Sequence, residues 1–221
     1  MAVGALLLVG AMGAVVGRQW ASVSTPPTST TTVTTLPPMA QPESAIWPFA
    51  STVTRFDSII LAAQAFATAY LGIVDPIIGA YQQGDGRSGE VPVRATSRGV
   101  ITTILVRELT STPSWWVIGA SCPDINVTAP SWSNRIFSPV LLKGRSIAYE
   151  AVVNVELRQD GTLVPLKRDT VMGGSGVMGP FIKSLTFPSP TSPRGALVFR
   201  THSAKDGHVI EASVVRIAFL K

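Results

Sequence analysis

Cysteine is almost absent from the sequence, since Cys122 is the single thiol among 221 residues. One cysteine cannot form an internal disulfide, so a fold stabilised by internal cross-links is excluded. Cys122 also lies too far from the N-terminus to be the lipidated cysteine that directly follows the signal peptide of a lipoprotein. Because it ends an apolar stretch, we expect its thiol to be buried and unreactive.

Clusters of basic residues are missing as well. The net charge is +5, and residues 123–221 hold the excess, with twelve basic against seven acidic side chains. No Lys/Arg run with interleaved aromatic residues accompanies it, which argues against a nucleic-acid partner. A diffuse basic surface of this kind is compatible with weak attraction to anionic polymers or lipid headgroups.

Motifs for catalysis, cofactor binding or metal binding are not recognisable either. A G-x-S-x-G nucleophile elbow is absent. His202 and His208 flank a predicted turn and fall several residues apart along the paired strands, whereas zinc needs three or four converging ligands. The glycine run 173–176 lies between predicted strands, whereas a phosphate-binding loop precedes a helix. We therefore expect a protein that is not an enzyme and that uses no metal or cofactor.

The N-terminus is uncharged over Ala2–Gly17. As a helix this stretch would extend about 24 Å, slightly less than the ~30 Å hydrocarbon core of a bilayer. Two interpretations remain open for residues 1–20: a membrane anchor that uses Trp20 at the interface, or the apolar region of a cleaved signal peptide. The first predicts a single-pass membrane protein with extracytoplasmic domains, and the second predicts a secreted protein.

A spacer follows at residues 21–45. Ser22–Pro38 consists almost entirely of Ser, Thr and Pro. Such a composition buries too little apolar surface to offset the entropy of ordering, so we expect a disordered linker that holds the folded part away from a membrane.

Residues 46–122 predict a small α+β domain. Phe56–Leu71 carries apolar side chains at spacings of three and four, which predicts an amphipathic helix, and Gly72 is suited to its C-terminal end. We expect the helix to pack on a three-stranded antiparallel meander. The strand candidates are Glu90–Thr96, Val100–Leu109 and Trp115–Ala120.

Residues 123–221 predict an immunoglobulin-like antiparallel β-sandwich, because seven short strand candidates are separated by Pro, Gly, Asp and Ser turns. The candidates are Ile125–Thr128, Pro139–Gly144, Ser146–Gln159, Thr162–Leu166, Ile182–Phe187, Gly195–His202 and His208–Phe219.

The clearest alternation lies in Ser146–Gln159. It predicts one strand with a buried apolar face and a second face, including Glu156 and Arg158, in water. Asp160-Gly161 predicts a tight two-residue hairpin turn that leads into Thr162–Leu166. The buried face would contain Ile147, Tyr149, Ala151, Val153, Val155 and Leu157.

Four separated segments of the second half resemble the Gmad2 family, over residues 124 to about 220. They are INVTAP, SPVLLKGRSIAYEAVVNVELRQDG, MGPFIKSLTF and GALVFRTHSAKDGHVIEASVVRIAF. Gmad2 is a bacterial immunoglobulin-like domain that accompanies GerMN modules in germination and sporulation proteins. The resemblance implies a structural or interaction module of the cell envelope, and the family has no established catalytic residues to carry over.

The sequence as a whole predicts a non-enzymatic, membrane-tethered envelope protein that acts as an interaction or structural module in sporulation, germination or wall assembly. Its partner would be another envelope protein. The alternative is a module that binds an anionic glycan or lipid through a basic face of the sandwich, formed by Lys143, Arg145 and Arg158.

Overall fold

A computed structural model describes residues 41–111 and 114–220. One α-helix in this part, α1 (Ile59–Ala65), continues as a π-helical turn over Phe66–Leu71, and a 3₁₀ turn spans Tyr149–Ala151. The strands are β1 (Ile77–Ile78), β2 (Gln82–Gln83), β3 (Ser88–Arg94), β4 (Thr102–Glu108), β5 (Trp115–Ser121), β6 (Ile125–Ala129), β7 (Asn134–Ile136), β8 (Val140–Ser146), β9 (Val152–Gln159), β10 (Lys167–Met172), β11 (Gly179–Leu185), β12 (Arg194–His202) and β13 (Val209–Phe219).

Ten of these strands form one large sheet, in the order β1–β3–β4–β5–β13–β12–β9–β10. β2 is added beside β3, and β7 lies parallel to β13. Neighbours along the main path are antiparallel, and β13 joins the two halves of the chain by pairing with β5 at Val214 and Ala120.

The remaining three strands form a smaller antiparallel sheet in the order β11–β8–β6. A hydrophobic core that contains Leu142, Val155, Phe181 and Phe199 lies between the two sheets. A second core lies on the opposite face of the large sheet, beneath α1 and its π-helical turn. The large sheet is therefore the middle layer, with the helix on one side and the small sheet on the other.

The helix follows the predicted apolar pattern but begins later than Phe56. Ser58 caps it, because its side chain accepts a hydrogen bond from the Leu61 amide, and this fixes the first turn. Gly72 ends it in the left-handed conformation, with a φ of 82°, as predicted for a glycine at a helix C-terminus.

Most predicted strands of both halves are confirmed within two residues at each end, and β11 begins three residues before its candidate. The mainly β class and the antiparallel sandwich are confirmed as well, with two sheets packed over a shared core. Short strands β1, β2 and β7 have no counterpart in the sequence prediction.

The prediction of one strand over Ser146–Gln159 is wrong in its first part. β8 ends at Ser146, and the chain turns at Tyr149–Ala151 before β9 begins. Glu150 and Ala151 have φ angles of 51° and 63°, which end the extended conformation. Tyr149 is consequently 65% exposed, while Val153 and Val155 are buried as predicted.

The hairpin after β9 exists, but its turn is longer than predicted. β10 pairs with β9 from Lys167 opposite Leu157 onward, so residues 160–166 form the loop and Thr162–Leu166 is not the returning strand. Gly161 has the expected positive φ. Asp160 has a different role, since its carboxylate accepts two hydrogen bonds from Arg216.

The predicted domain boundary at residue 123 lies between two strands, and the large sheet contains strands from both sides of it. The division into two domains stays a prediction. The predicted anchor or signal at 1–20 and most of the predicted linker lie outside the described residues. Among residues 41–111 and 114–220, no helix combines the length and apolar character needed to cross a bilayer.

Candidate functional site

The solvent-facing side of the small sheet is the candidate interaction surface, and we refer to it as the outer face. Alternate residues of β8 and β11 point away from the core, because successive side chains of a strand lie on opposite sides. Its exposed residues are Asn126, Thr128, Leu141, Lys143, Arg145, Pro180, Ile182 and Ser184.

Lys143 and Arg145 lie two residues apart on the exposed side of β8, as the sequence predicted. The Arg145 guanidinium donates a hydrogen bond to the Met178 carbonyl at 3.0 Å. The side chain of Lys143 makes no hydrogen bond or ion pair with any residue that the structure describes. No carboxylate belongs to the outer face, so these two cations give it an uncompensated positive charge.

Apolar side chains are exposed beside these cations. Ile182 is 71% exposed and lies opposite Lys143 in the β8–β11 register, while Leu141 is 45% exposed. Exposed aliphatic groups next to basic groups form a surface that can bury apolar area and also attract an anionic partner.

Arg158 does not share this surface, which corrects its assignment to the basic face. It is only 6% exposed and lies on the helix side of the large sheet. Its guanidinium forms two hydrogen bonds to Glu156, and Nη1 donates to the Tyr70 carbonyl at 2.7 Å. It also stacks 4.7 Å from the centre of the Tyr70 ring.

Glu156 is the centre of this buried network. Arg200 Nη2 lies 2.5 Å and Arg168 Nε lies 3.1 Å from its Oε1. Burial alone would raise the pKa of Glu156, but hydrogen bonding and charge from Arg158, with the charge of Arg200, outweigh it and lower the pKa. Glu156 is therefore ionised at neutral pH.

The same arginines complete the end of the helix. Arg158 donates to the Tyr70 carbonyl and Arg200 donates to the Leu71 carbonyl at 3.1 Å. Cations at a helix C-terminus satisfy its free carbonyl groups and oppose the negative end of its dipole. The network thus has a structural role in joining the helix to β9 and β12.

The histidines lie apart in separate environments. His202 Nδ1 is 2.9 Å from the Asn154 amide nitrogen, and burial followed by the charge of Arg200 lowers its pKa. His208 lies in an exposed turn, 3.8 Å from Asp206. The described residues contain no group of three or more His, Cys, Asp or Glu side chains arranged to hold a metal ion.

Cys122 is buried, as predicted. Its Sγ lies 3.5 Å from Ser213 Oγ, and burial raises the pKa of the thiol to about 12. The thiol is therefore neutral at physiological pH and a poor nucleophile.

The glycine run lies between β10 and β11, as expected, and no helix follows it. A Cβ on Gly174 would lie 1.8 Å from the Val177 carbonyl oxygen. The close approach of the Val177 backbone therefore explains why position 174 requires a glycine.

Sequence reasoning identified the cations of the outer face but missed its apolar members. Leu141 and Ile182 belong to the segments PVLL and FIKSLTF, in which residue type alone does not distinguish an exposed aliphatic side chain from a buried one. The signal lies in the strand alternation, which places Leu141 on the same side as Lys143.

No curated protein and no solved structure matches the chain. Residues 124–208 match the family model of Gmad2, the immunoglobulin-like domain of bacterial spore germination, which confirms the predicted resemblance.

Proposed function

We propose that this chain is a non-enzymatic interaction module of the bacterial cell envelope, acting in sporulation, germination or wall assembly. The family match of residues 124–208 supports the biological setting. The uncharged N-terminus and the Ser/Thr/Pro-rich segment support a membrane-tethered or secreted protein.

The observation that carries the proposal is the composition of the outer face. Ile182 and Leu141 offer apolar area, Lys143 and Arg145 offer charge, and the sheet that presents them is fixed by a packed core. Protein interfaces typically have an apolar centre and a polar rim in which arginine is enriched. The surface is therefore suited to an envelope protein with an acidic, partly apolar patch.

A second candidate is a module that binds an anionic glycan or lipid. Lys143 and Arg145 favour it, because they are adjacent cations with no acidic neighbour on the outer face. Binding of this kind is mainly electrostatic and weakens as salt is added.

Salt and surface variants separate the two candidates. The full-length chain is immobilised and exposed to envelope extract at about 50 mM and about 500 mM NaCl. We expect a protein partner to be retained at both salt concentrations and to be lost from Ile182→Asp. Anionic polymers or anionic lipid vesicles would be released by salt and lost from the double variant Lys143→Glu/Arg145→Glu.

The matched control is Arg98→Glu/Lys205→Glu, which changes the net charge equally at exposed turns away from the outer face. Retention should be unchanged in this control. If the control and the outer-face variants behave alike, the outer face is not the interaction surface. Circular dichroism confirms that each variant keeps its β-structure.

A further inference from the structure

A cavity of about 250 Å³ opens where β13 ends, between β7 and the start of β12. Ala218 of β13 lines it, and so does Glu43, from the segment that precedes the helix. Ala196 and Val214 lie on the same side of their strands as Ala218 and pack beneath the helix. The cavity is therefore on the helix side of the large sheet, whereas the small sheet and its outer face are on the other side.

Two arginines lie on either side of Ala218 in this cavity. Arg194 of β12 is directly opposite Ala218, and Ala218 is directly opposite Arg135 of β7. Residues opposite each other in a sheet point to the same side, so both arginine side chains rise from the face that Ala218 occupies. Neighbouring strands are about 4.8 Å apart, which places the two arginine Cα atoms roughly 10 Å apart. Because the Ala218 side chain is a single methyl group, the space between the two arginines is open.

Positive charge exceeds negative charge in this cavity. Arg216 is a buried lining residue, and Asp160 balances it by accepting two hydrogen bonds from its guanidinium. Arg194 forms an ion pair with Glu43. Arg135 is exposed, and its side chain makes no hydrogen bond or ion pair with any residue that the structure describes. Glu43 is the single carboxylate among the described lining residues, so one of the three guanidinium groups is uncompensated.

The ion pair between Glu43 and Arg194 is the weaker of the two pairs at this cavity. The Glu43 side chain is 80% exposed, whereas the Arg216 and Asp160 side chains are 1% and 15% exposed. Exposed ion pairs contribute little free energy, because solvent screens the charges. The Glu43 carboxylate therefore occupies a position that an external oxyanion can take without breaking a buried interaction.

We propose that this cavity binds the phosphate group of a phosphate monoester between Arg135 and Arg194, and that the phosphate displaces the Glu43 carboxylate. The tetrahedral oxygens of a phosphate accept hydrogen bonds from guanidinium groups on opposite sides. Ser133, an exposed lining residue beside β7, offers a neutral hydroxyl donor. A phosphate monoester carries about two negative charges at neutral pH, which match the two arginines once Glu43 has left. This site is independent of the outer face and goes beyond the function proposed above.

Other anions fit the cavity less well. A carboxylate has its two oxygens in one plane and carries a single charge, so it compensates one arginine and leaves the other unpaired. A phosphate diester also carries a single charge, and its second substituent occupies space between the arginines. A phosphate monoester could belong to a small soluble molecule or to a lipid headgroup, and both present the same group.

The test is a titration of the ¹⁵N-labelled full-length chain with n-propyl phosphate, followed by NMR. The buffer contains about 150 mM NaCl, which screens weak non-specific attraction. We expect saturable shifts of the backbone amides at residues 133–135, 194 and 216–220. Butyrate, a carboxylate on a chain of similar length, should bind at least about tenfold more weakly, because it cannot pair with both arginines.

Three variants of the cavity make opposite predictions. Arg135→Gln and Arg194→Gln should each weaken the binding of n-propyl phosphate by at least about fivefold, because each removes hydrogen bonds from a charged donor. Glu43→Gln should strengthen the binding by about two- to fivefold, because it removes the carboxylate that competes for Arg194. A general loss of structure would weaken binding in all three variants and would not produce this increase.

The matched control is Arg98→Gln, which removes an exposed cation at the β3–β4 turn and should leave the affinity unchanged. Glycerol 3-phosphate and phosphatidylcholine vesicles with or without phosphatidic acid distinguish the two sources of the phosphate. Binding that requires phosphatidic acid and is lost in Arg135→Gln indicates a lipid headgroup. Tighter binding of glycerol 3-phosphate indicates a small soluble phosphate. Either result supports the site.

The proposal is overturned if n-propyl phosphate causes no saturable shift at these residues, if butyrate binds equally well, or if Arg135→Gln keeps full affinity. Arg135 is exposed, so we expect this variant to fold, and circular dichroism checks that it does. Weaker binding by Glu43→Gln would contradict the displacement of its carboxylate. Lys143→Gln/Arg145→Gln should keep full affinity for n-propyl phosphate, so failure of the outer face as an interaction surface has no bearing on these results.

Discussion

Arg158 and Arg168 bind the same carboxylate from different environments. Both contact Glu156, but the Arg158 side chain is 7% exposed and that of Arg168 is 73% exposed. Replacing Arg158 with Met leaves a buried carboxylate less compensated and the Tyr70 carbonyl without its donor. We expect Arg158→Met to lower the free energy of unfolding by about 2–4 kcal/mol, as measured by urea denaturation.

Arg168→Met is the matched control for that variant. It removes an arginine from the same carboxylate, but solvent already screens the ion pair, so the expected loss is below about 1 kcal/mol. Equal losses in the two variants would show that burial does not decide the strength of these pairs.

Glu211 should give the protein a measurable pH dependence. Its folded pKa is raised above the ordinary value of 4.5, so the folded state holds the proton more tightly than the unfolded state. The stabilisation is present below the unfolded pKa and is lost as the pH rises through the folded pKa. A glutamine at position 211 has no carboxyl proton to release, so Glu211→Gln does not lose stability in this way as the pH rises.

We therefore expect the stability of Glu211→Gln relative to the wild type to increase between about pH 4 and about pH 7.5. Urea midpoints at the two pH values measure the difference. Contributions from groups that are common to both proteins largely cancel in this comparison. A difference that is independent of pH, or that shrinks as the pH rises, would contradict the assignment of a raised pKa to this group.

At the scale of elements, the end of the helix depends on Gly72. Its φ of 82° is unfavourable for a residue with a Cβ. We expect Gly72→Ala to lower the free energy of unfolding by about 1 kcal/mol, as measured by thermal or urea denaturation.

Gly86→Ala provides the comparison for Gly72→Ala. Gly86 lies in open space and has no positive φ, so alanine there should be neutral or stabilise the fold by up to about 1 kcal/mol. If both variants lose the same stability, the left-handed conformation is not the cause of the loss at Gly72.

The elements that the sequence predicted well are those with a local signal. Turn residues on either side of short apolar segments located β4, β5, β12 and β13, and the spacing of apolar residues with Gly72 located the helix and its end. The break before β9 has no such signal, because the positive φ angles belong to Glu150 and Ala151 rather than to glycine. The long β9–β10 loop was missed because Asp160-Gly161 is also the usual sequence of a two-residue turn.

The reliance on local sequence patterns also explains which residues of the candidate site were predicted. Lys143 and Arg145 follow from alternation in a strand whose other face is apolar. Arg158 follows the same pattern in β9, and charged residues at alternate positions of a strand normally indicate that this side of the sheet is exposed to water. Only the helix, from a distant part of the sequence, covers Glu156 and Arg158, and local periodicity carries no information about that contact.

At the scale of the whole molecule, the two cores depend on one sheet. The core beneath the helix contains Phe66, Val91 and Val106 from the first half, together with Val198 and Val214 from the second. β13 holds these contributions in one layer by pairing with β5 on one side and β12 on the other. Pairing between distant strands is set by tertiary packing, so the sequence pattern could not show it.

This arrangement makes a prediction about residues 123–221 alone. Without the first half, Ala196, Val198, Ala212 and Val214 would lose their apolar cover, and Arg158 and Arg200 would lose their helix carbonyls. Each exposed valine alone costs roughly 1.5 kcal/mol or more. We expect this fragment to bind the dye ANS and to unfold without a cooperative transition, whereas residues 41–221 should unfold cooperatively in urea.

The alternative is that residues 123–221 form an independent domain, as the sequence predicts from strand count and turns. A cooperative transition of the fragment, with a denaturant slope matching its size, would support that prediction. The sandwich core between the two sheets would then be sufficient on its own, and the helix layer would be an addition to a pre-existing fold.

Because β13 lies in both cores, Val214→Asp tests the same point in the intact chain. The Val214 side chain faces only the helix layer. If the sandwich folds independently, Val214→Asp should lose the near-ultraviolet circular dichroism of the helix layer and keep that of the sandwich.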